Sequence, residues 1–434
     1  MSPRGKIIAW SFYDWGNSAF TTLVVTFLYS AYFTQAIASD EVIGTVLWSR
    51  AVALSGIFIA LLAPLLGAIA DRGRARHRYL IASTLVCIAA TALLTFVAPG
   101  QSHAVLLALG LFVIANVAFE IGCVFYNAFL PDIAPPERLG RVSALGWGFG
   151  YLGGLGCLAI ALLVLARDVP LFGIPTEAGF QYRATNLLVA LWFLVFSLPL
   201  LVMIGAGKDA GEERPHSAPR RGGTFTESFA AFRDTLVAIR GHGDTLRFLV
   251  ARLVYNDGLV TVFAFGGIYA AGVFHMPLSE VIRFGIGINV AAALGAWLFG
   301  PLDDKIGGKT TILVTLLALT GFSLLAALAP DKIWFQVAGL GIGFFAGPNQ
   351  AASRSLLGRF APVGRRSEFF GFFAFSGKLT AFLGPLFLGI ATQWSGSQRF
   401  GLAVVLVFFV VGGIILLGVD ERRGKEQGAR SGTG

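Results

Sequence analysis

The chain has 434 residues, of which 56% are hydrophobic and only 13% charged, and its mean hydropathy is +0.74. That charged share is about half of what a soluble domain carries, so a water-soluble globule is excluded and much of the apolar surface must face lipid. The net charge of +9 would fit nucleic-acid binding if it were clustered on one face; its distribution along the chain instead sets membrane orientation.

Lipid admits two spanning designs, helices and closed barrels. Barrel strands alternate over ~10 residues, whereas the apolar runs here extend for ~20 or more. The predicted fold class is therefore an all-α membrane protein. The opening "MSPRGKIIAW" has a basic start, but no small-x-small cleavage site follows promptly and the apolar run is long, so it reads as an uncleaved first span. In chain order the predicted spans are 7–36, 45–70, 79–98, 104–130, 142–166, 184–206, 246–275, 278–301, 309–329, 333–357, 367–394 and 398–419. The largest break follows the sixth. Residues 207–244 are polar and rich in Gly, Pro and charge, which predicts a linker with a short amphipathic helix around Thr226 to Ile239. The predicted organisation is a six-helix half over 1–206, a cytoplasmic linker over 207–245, a second six-helix half over 246–420, and a cytoplasmic tail over 421–434.

Of the 33 Lys and Arg residues, 25 fall in loops on one side, both termini included. The opposite loops hold Arg167, Arg183, Lys332 and Arg399, and the spans themselves hold Arg50, Arg252, Arg283 and Lys378. The positive-inside rule then puts both termini in the cytoplasm, with a bacterial cytoplasmic membrane as the expected location. The 55 glycines fit membrane helices, where small residues let backbones approach. Cys87, Cys123 and Cys157 lie inside apolar runs without metal-ligand spacing and read as small hydrophobes.

The chain also repeats. "GAIADRGRARHRYL" (67–80) after span 2 matches "GPLDDKIGGKTTIL" (300–313) after span 8, and an offset of 233 pairs Gly67 with Gly300, Asp71 with Asp304, and Arg50 with Arg283. At an offset of 242, "FYDWG" (12–16) matches "VYNDG" (254–258). Two six-span halves in parallel orientation, related by pseudo-two-fold symmetry, are a known transporter design with solute bound between the repeats.

Twelve spans, a long middle loop and G-x-x-x-D-[RK]-x-G-[RK]-[RK] after spans 2 and 8 resemble the major facilitator superfamily. The copy at 300–309 follows the pattern with Gly at one basic position; the copy at 67–78 lacks the residue between Arg72 and Gly73. "YDWGNSAF" in span 1 and "FYNAFLPDIAPPERLGRVSALGWGFGYLGG" (125–154) resemble the superfamily's unknown-major-facilitator branch, which includes the autophagy-linked vacuolar amino-acid effluxers. The resemblance implies alternating access, gating by Asp71, Arg72, Asp304 and Lys305, and a monomer. Arg50 and Arg283, near the outer ends of their spans, join the gating set. The span 5 glycines, "GWGFGYLGGLG", lack the proline of the superfamily's antiporter motif and read as close helix packing.

Candidate transport residues follow from charge and spacing. Asp14 lies about 10 Å into span 1, with Asn17, Ser18 and Thr21 on its face and Tyr13 beside it. On span 4, Asn116, Glu120, Cys123 and Asn127 share a face, and the rise places Glu120 at a depth similar to Asp14. If close, the two carboxylates would repel and suit a proton site. In the second half the matching candidates are Tyr255, Asn256 and Asp257 on span 7, Asn349, Gln350 and Arg354 beside an expected kink at Pro348, and Lys378 at mid-span on span 11. Arg252, near the cytoplasmic edge, is expected to snorkel. For Asp14, Glu120 and Lys378, hydrogen bonding to neighbouring helices stays open as the alternative. The combined reading is a secondary transporter of a small polar solute, an amino acid or small peptide, coupled to protons. The alternatives are an organic-anion or sugar transporter of the same fold and a non-transporting membrane receptor or scaffold. No Walker sequence, metal cluster or Ser-His-Asp arrangement supports an enzyme. Neither a cofactor nor a nucleic-acid partner is expected; the partners are the solute and lipid.

Overall fold

The structure, a computed structural model, describes residues 2–72, 75–166, 170–206 and 241–430. The predicted linker and its amphipathic helix lie outside the described residues, apart from the linker's last few positions, as does the side chain of Arg72. The described residues are helical throughout their long elements. They comprise α1 (Pro3–Ile37), α2 (Glu41–Arg72), α3 (Arg76–Leu94), α4 (Ala104–Ala128), α5 (Leu139–Ile160), α6 (Phe180–Ala206), α7 (Gly243–Phe274), α8 (Leu278–Ile306), α9 (Gly308–Leu328), α10 (Lys332–Phe360), α11 (Arg366–Ser395), α12 (Gln398–Leu417) and a short terminal α13 (Glu421–Arg430). Eleven of them are long and apolar enough to cross a membrane. The remaining predicted span, α10, has the length, at 29 residues; Asn349, Gln350, Arg354 and Arg359 make one end of it polar. The fold is that of twelve helices in two six-helix halves.

Local chemistry explains where the helices depart from regularity. Ser2 caps α1 by accepting from the Gly5 amide at 3.2 Å, with Pro3 at the tolerated first position. α1 is α-helical to Ala19 and then π-helical over Phe20–Phe27 and Phe33–Ile37. Such widened turns shift every later side chain around the axis. The predicted polar face therefore ends early: Thr21 turns its hydroxyl back to the Ser18 carbonyl at 3.1 Å. α10 runs on through Pro348 as one helix, so Pro348 does not end the element. α11, predicted as one span, is interrupted. Its first segment ends at Lys378 and its second begins at Leu383.

Contacts divide the chain into two compact units. The first comprises Met1–Leu62, Gly73–Tyr126 and Phe149–Arg221; the second comprises Ala63–Arg72, Asn127–Gly148 and Gly222–Gly434. In the first, the core is aromatic. Trp10 and Tyr13 stack on Tyr126 with centroids 4.4 and 4.7 Å apart, and the Trp10 indole donates to the Tyr126 carbonyl at 3.0 Å. The span 5 glycines act as spacers: a Cβ on Gly153 would strike the Trp15 backbone, so α1 and α5 meet at near-backbone distance. In the second unit the same device joins α8 and α10, where Gly295 faces the Phe344 backbone and Gly347 faces that of Ala292. Cys87, Cys123 and Cys157 form no disulfide, and Cys87 and Cys157 are buried.

Candidate functional site

In the first unit the repeat tyrosine, Tyr13, is buried and shares a 2.8 Å hydrogen bond with Thr84 of α3. One turn further, the Asn17 amide reaches the Cys123 sulfur of α4 at 4.0 Å and accepts from the Ser18 hydroxyl at 3.3 Å. This contact fixes the register of α1 against α4. Asp14 is three residues before Asn17, and Glu120 three before Cys123. The two helices run in opposite directions, so the carboxylates stand on opposite sides of the contact, offset by about 9 Å along the axes at 1.5 Å per residue. That offset differs from the similar depth expected, and Asp14 and Glu120 are each half-buried. Asn116, predicted on the same face, donates instead to Ser55 of α2 at 2.7 Å.

In the second unit, Tyr255 is likewise buried and shares a 2.7 Å hydrogen bond with Ser353 of α10. Asn256 ties three helices together: it donates to the Gly377 carbonyl of α11 at 3.3 Å and accepts from Gln350 of α10 at 3.3 Å. Asn349 points away from them, to Thr315 of α9 at 3.0 Å. Arg252 does not snorkel. It is buried, donates to the Phe373 carbonyl at 2.7 Å and the Ser376 hydroxyl at 2.9 Å, and lies 3.5 Å from the Phe373 ring centroid. A backbone carbonyl, a hydroxyl and a π-face replace water as its solvation. Asp257 is 1% exposed, and neither carboxylate oxygen has a hydrogen-bond partner. Lys378, half-buried, ends the first segment of α11.

The second unit also holds a latch at the ends that carry the basic loops. Asp304, near the end of α8, accepts from the Gly140 and Arg141 amides of α5 at 2.8 and 3.3 Å. Its repeat partner Asp71, at the end of α2, accepts from the Glu368 amide of α11 at 2.9 Å. Each carboxylate sits at a helix N-terminus, where free amides and the helix dipole favour an anion. The aligned glycines make the approach: Gly67 abuts the Ser367 backbone and Gly300 abuts Arg141 and Ala144. Sequence reasoning missed what surrounds this latch. Arg359 of α10 binds Asp303 at 2.7 Å and Asp304 at 3.2 Å, Ser355 donates to Asp303, and Arg366 pairs with Asp132. Arg354 donates to the Ser143 hydroxyl at 2.9 Å, the Ser143 carbonyl at 2.6 Å and Asn127 at 3.2 Å, with Trp147 at 5.5 Å. Asn127, a candidate solute residue by sequence, thus serves this latch. The doubled carboxylate "DD" at 303–304 and basic residues five apart on α10 were the available signals. Arg50, Arg283 and Lys305 are exposed.

Acids, amides and a cation held at membrane depth can bind and move a polar solute, and the carboxylate–amide pairs can close one end of a path by engaging and open it by release. The comparisons fit that capacity. The family described as "Vacuole effluxer Atg22 like" matches residues 45–140 and 136–429. The chain is 28% identical over 418 residues to the uncharacterized MFS-type transporter YxiO of Bacillus subtilis (strain 168), covering 95% of this chain and 94% of that protein. It is 26% identical over 306 residues to autophagy-related protein 22-1 of Aspergillus fumigatus, covering 66% of this chain and 49% of that one, so the match spans about half the length of that fungal relative. Among solved structures, the human organic anion transporter MFSD10 (TETRAN) superposes with a TM-score of 0.75 at 14% identity, covering 96% of this chain and all of that one. The E. coli fucose:proton symporter FucP gives 0.70 at 13%, covering 96% and 98%; at such identities the likeness is one of fold. The chain belongs to the Atg22-like vacuole effluxer family, a branch of the major facilitator superfamily.

Proposed function

We propose that this integral membrane transporter moves a small zwitterion, an amino acid or small peptide, and couples the movement to protons. The observation that carries the reading is the presence of both charge signs at membrane depth: Asp14 and Glu120 in the first unit, Lys378 in the second. A span keeps such groups where a solute or ion uses them. A zwitterion offers an ammonium for a carboxylate and a carboxylate for a cation. The family's description, a vacuole effluxer, supports the movement of a solute across a membrane. The basic loops favour cytoplasmic termini in a bacterial cytoplasmic membrane, with the latch then closing the cytoplasmic end. An organic-anion cargo has less support, because Arg252 and Arg354 are already engaged by carbonyls, hydroxyls and an amide.

The test is uptake of radiolabelled amino acids into proteoliposomes holding the full chain, with and without a pH gradient. Transport of at least one amino acid, accelerated by the gradient and made pH-insensitive by Asp14→Asn, is expected. Indifference to every amino acid overturns the cargo, and an unchanged pH profile in Asp14→Asn overturns its role as the proton site.

A further inference from the structure

We propose that Asp257, Thr380 and the interrupted backbone of α11 form a binding site for a small monovalent metal cation of the Na+ type. The inference stands apart from the cargo reading, since it concerns occupancy of the second unit alone.

Asp257 lies at the middle of α7, 1% exposed, and both of its oxygens are without a hydrogen-bond donor. A carboxylate so placed costs several kcal/mol unless something neutralises it. Its neighbours supply oxygen rather than nitrogen. The Thr380 hydroxyl is buried and lies beside it, near enough for a weak hydrogen bond to the carboxylate. Thr380 belongs to the interruption of α11, between Lys378 and Leu383. There the regular ladder lapses: the Ala381 amide reaches only the Lys378 carbonyl, at 3.4 Å, and the Leu383 amide turns to Thr380 at 2.7 Å. The carbonyls that end the first segment of α11 carry the negative end of its dipole. Interrupted membrane helices use such carbonyls to hold Na+ or a proton.

Two further observations bear on the site. The second segment of α11 begins against Asp257: Gly384 faces the Asp257 carbonyl and Thr261, with no room for a Cβ. The nearby cations do not neutralise Asp257 by hydrogen bonding. Arg252 is spent on Phe373 and Ser376, and the Lys378 ammonium reaches neither oxygen. One carboxylate with neutral oxygens suits a single positive charge; a divalent ion draws more carboxylates.

The test uses the purified full chain in detergent, without solute. Its thermal midpoint and tryptophan fluorescence are followed through titrations of Na+, Li+ and K+ against N-methyl-D-glucamine at fixed ionic strength, at several pH values. The expected result is a saturable, Na+-dependent stabilisation that is lost in Asp257→Asn. In Thr380→Val it should be weakened about tenfold, the scale of losing a supporting group at a metal site. A wild-type chain indifferent to metal cations overturns the site. So does a midpoint that follows pH alone, which would make the occupant a proton. A Na+ response preserved in both Asp257→Asn and Thr380→Val also overturns it, and Thr380→Val keeps the test decisive if Asp257→Asn fails to fold. Amino-acid uptake is measured separately, so loss of the cargo reading and loss of this site are distinguishable.

Discussion

The Asp304 carboxylate accepts from the Gly140 amide at 2.8 Å, and the repeat reproduces the bond, with Asp71 accepting from the Glu368 amide at 2.9 Å. In both cases a carboxylate closing one helix seats on the N-terminus of a helix from the other sequence half, α8 on α5 and α2 on α11. A carboxylate at a helix start is worth about 1–2 kcal/mol when partly buried. Asp304→Asn is expected to keep the side-chain shape yet weaken the seat, because its amide carries no charge toward the dipole. A cysteine placed at Ser143 in the Asp304→Asn background should then react with maleimide roughly 5–30-fold faster than in the Asp304 parent, the ratio that 1–2 kcal/mol allows. Equal labelling rates would show that Asp304 does not hold this end closed.

The latch was half legible in the sequence. Gly67, Gly300, Asp71 and Asp304 announce themselves through a constant offset, since a repeat preserves spacing. Their amide partners do not, because a backbone N–H leaves no trace in residue identity. Asp303 and Arg359, and the latch role of Arg354, escaped for a related reason: ion pairs across 56 residues and hydrogen bonds across 211 residues follow no helical period. The twelve helices were visible because lipid demands long apolar runs. The interruption of α11 was not, as "SGKLTAFLGP" carries its proline three residues beyond the last non-helical position. The π-helical stretch of α1 was hidden likewise, and with it the end of the Asp14 face.

Arg354 offers a test of geometry over charge. Its guanidinium serves Ser143 twice and Asn127 once from a 3% exposed position. Lysine keeps the charge but cannot present a planar fork to three acceptors. Arg354→Lys is expected to cost about 1–3 kcal/mol, the scale of lost charged hydrogen bonds, read as a lower thermal midpoint in detergent. A midpoint equal to wild type would mean that the charge alone suffices.

Glycine substitutions should separate packing from propensity. A Cβ on Gly347 would meet the Ala292 backbone, which cannot step aside, whereas a Cβ on Gly321 of α9 meets nothing within 4 Å. Overpacking costs about 1–3 kcal/mol, while alanine in place of an unconstrained helical glycine gains up to about 1 kcal/mol. Gly347→Ala should therefore lower the thermal midpoint and Gly321→Ala hold or raise it. The same direction of change in both would place the glycines' value in chain flexibility rather than in the α8–α10 contact.

The terminal helix α13 is docked through a group that titrates. Glu421 accepts from the Gly308 and Lys309 amides at 3.3 and 3.0 Å, at the start of α9, and pairs with Lys425 at 2.8 Å. Burial pushes its carboxyl up, but Lys425 and the α9 amides outweigh burial and hold it below its ordinary 4.5. A depressed folded value means that the ionised form is the one α9 binds. Its contribution, about 1 kcal/mol for a carboxylate at a helix start, is full above the unfolded value and disappears as pH falls through the lower, folded one. Hydrogen exchange of the α13 amides should therefore be flat from neutrality to about pH 5 after correction for intrinsic rates, and rise only under stronger acid. Glu421→Gln should show the faster exchange at every pH, with Lys309 still donating to the Leu417 and Val419 carbonyls. Protection in Glu421→Gln equal to wild type would assign the docking to those lysine bonds and to Gly428 against Phe360, not to the carboxylate.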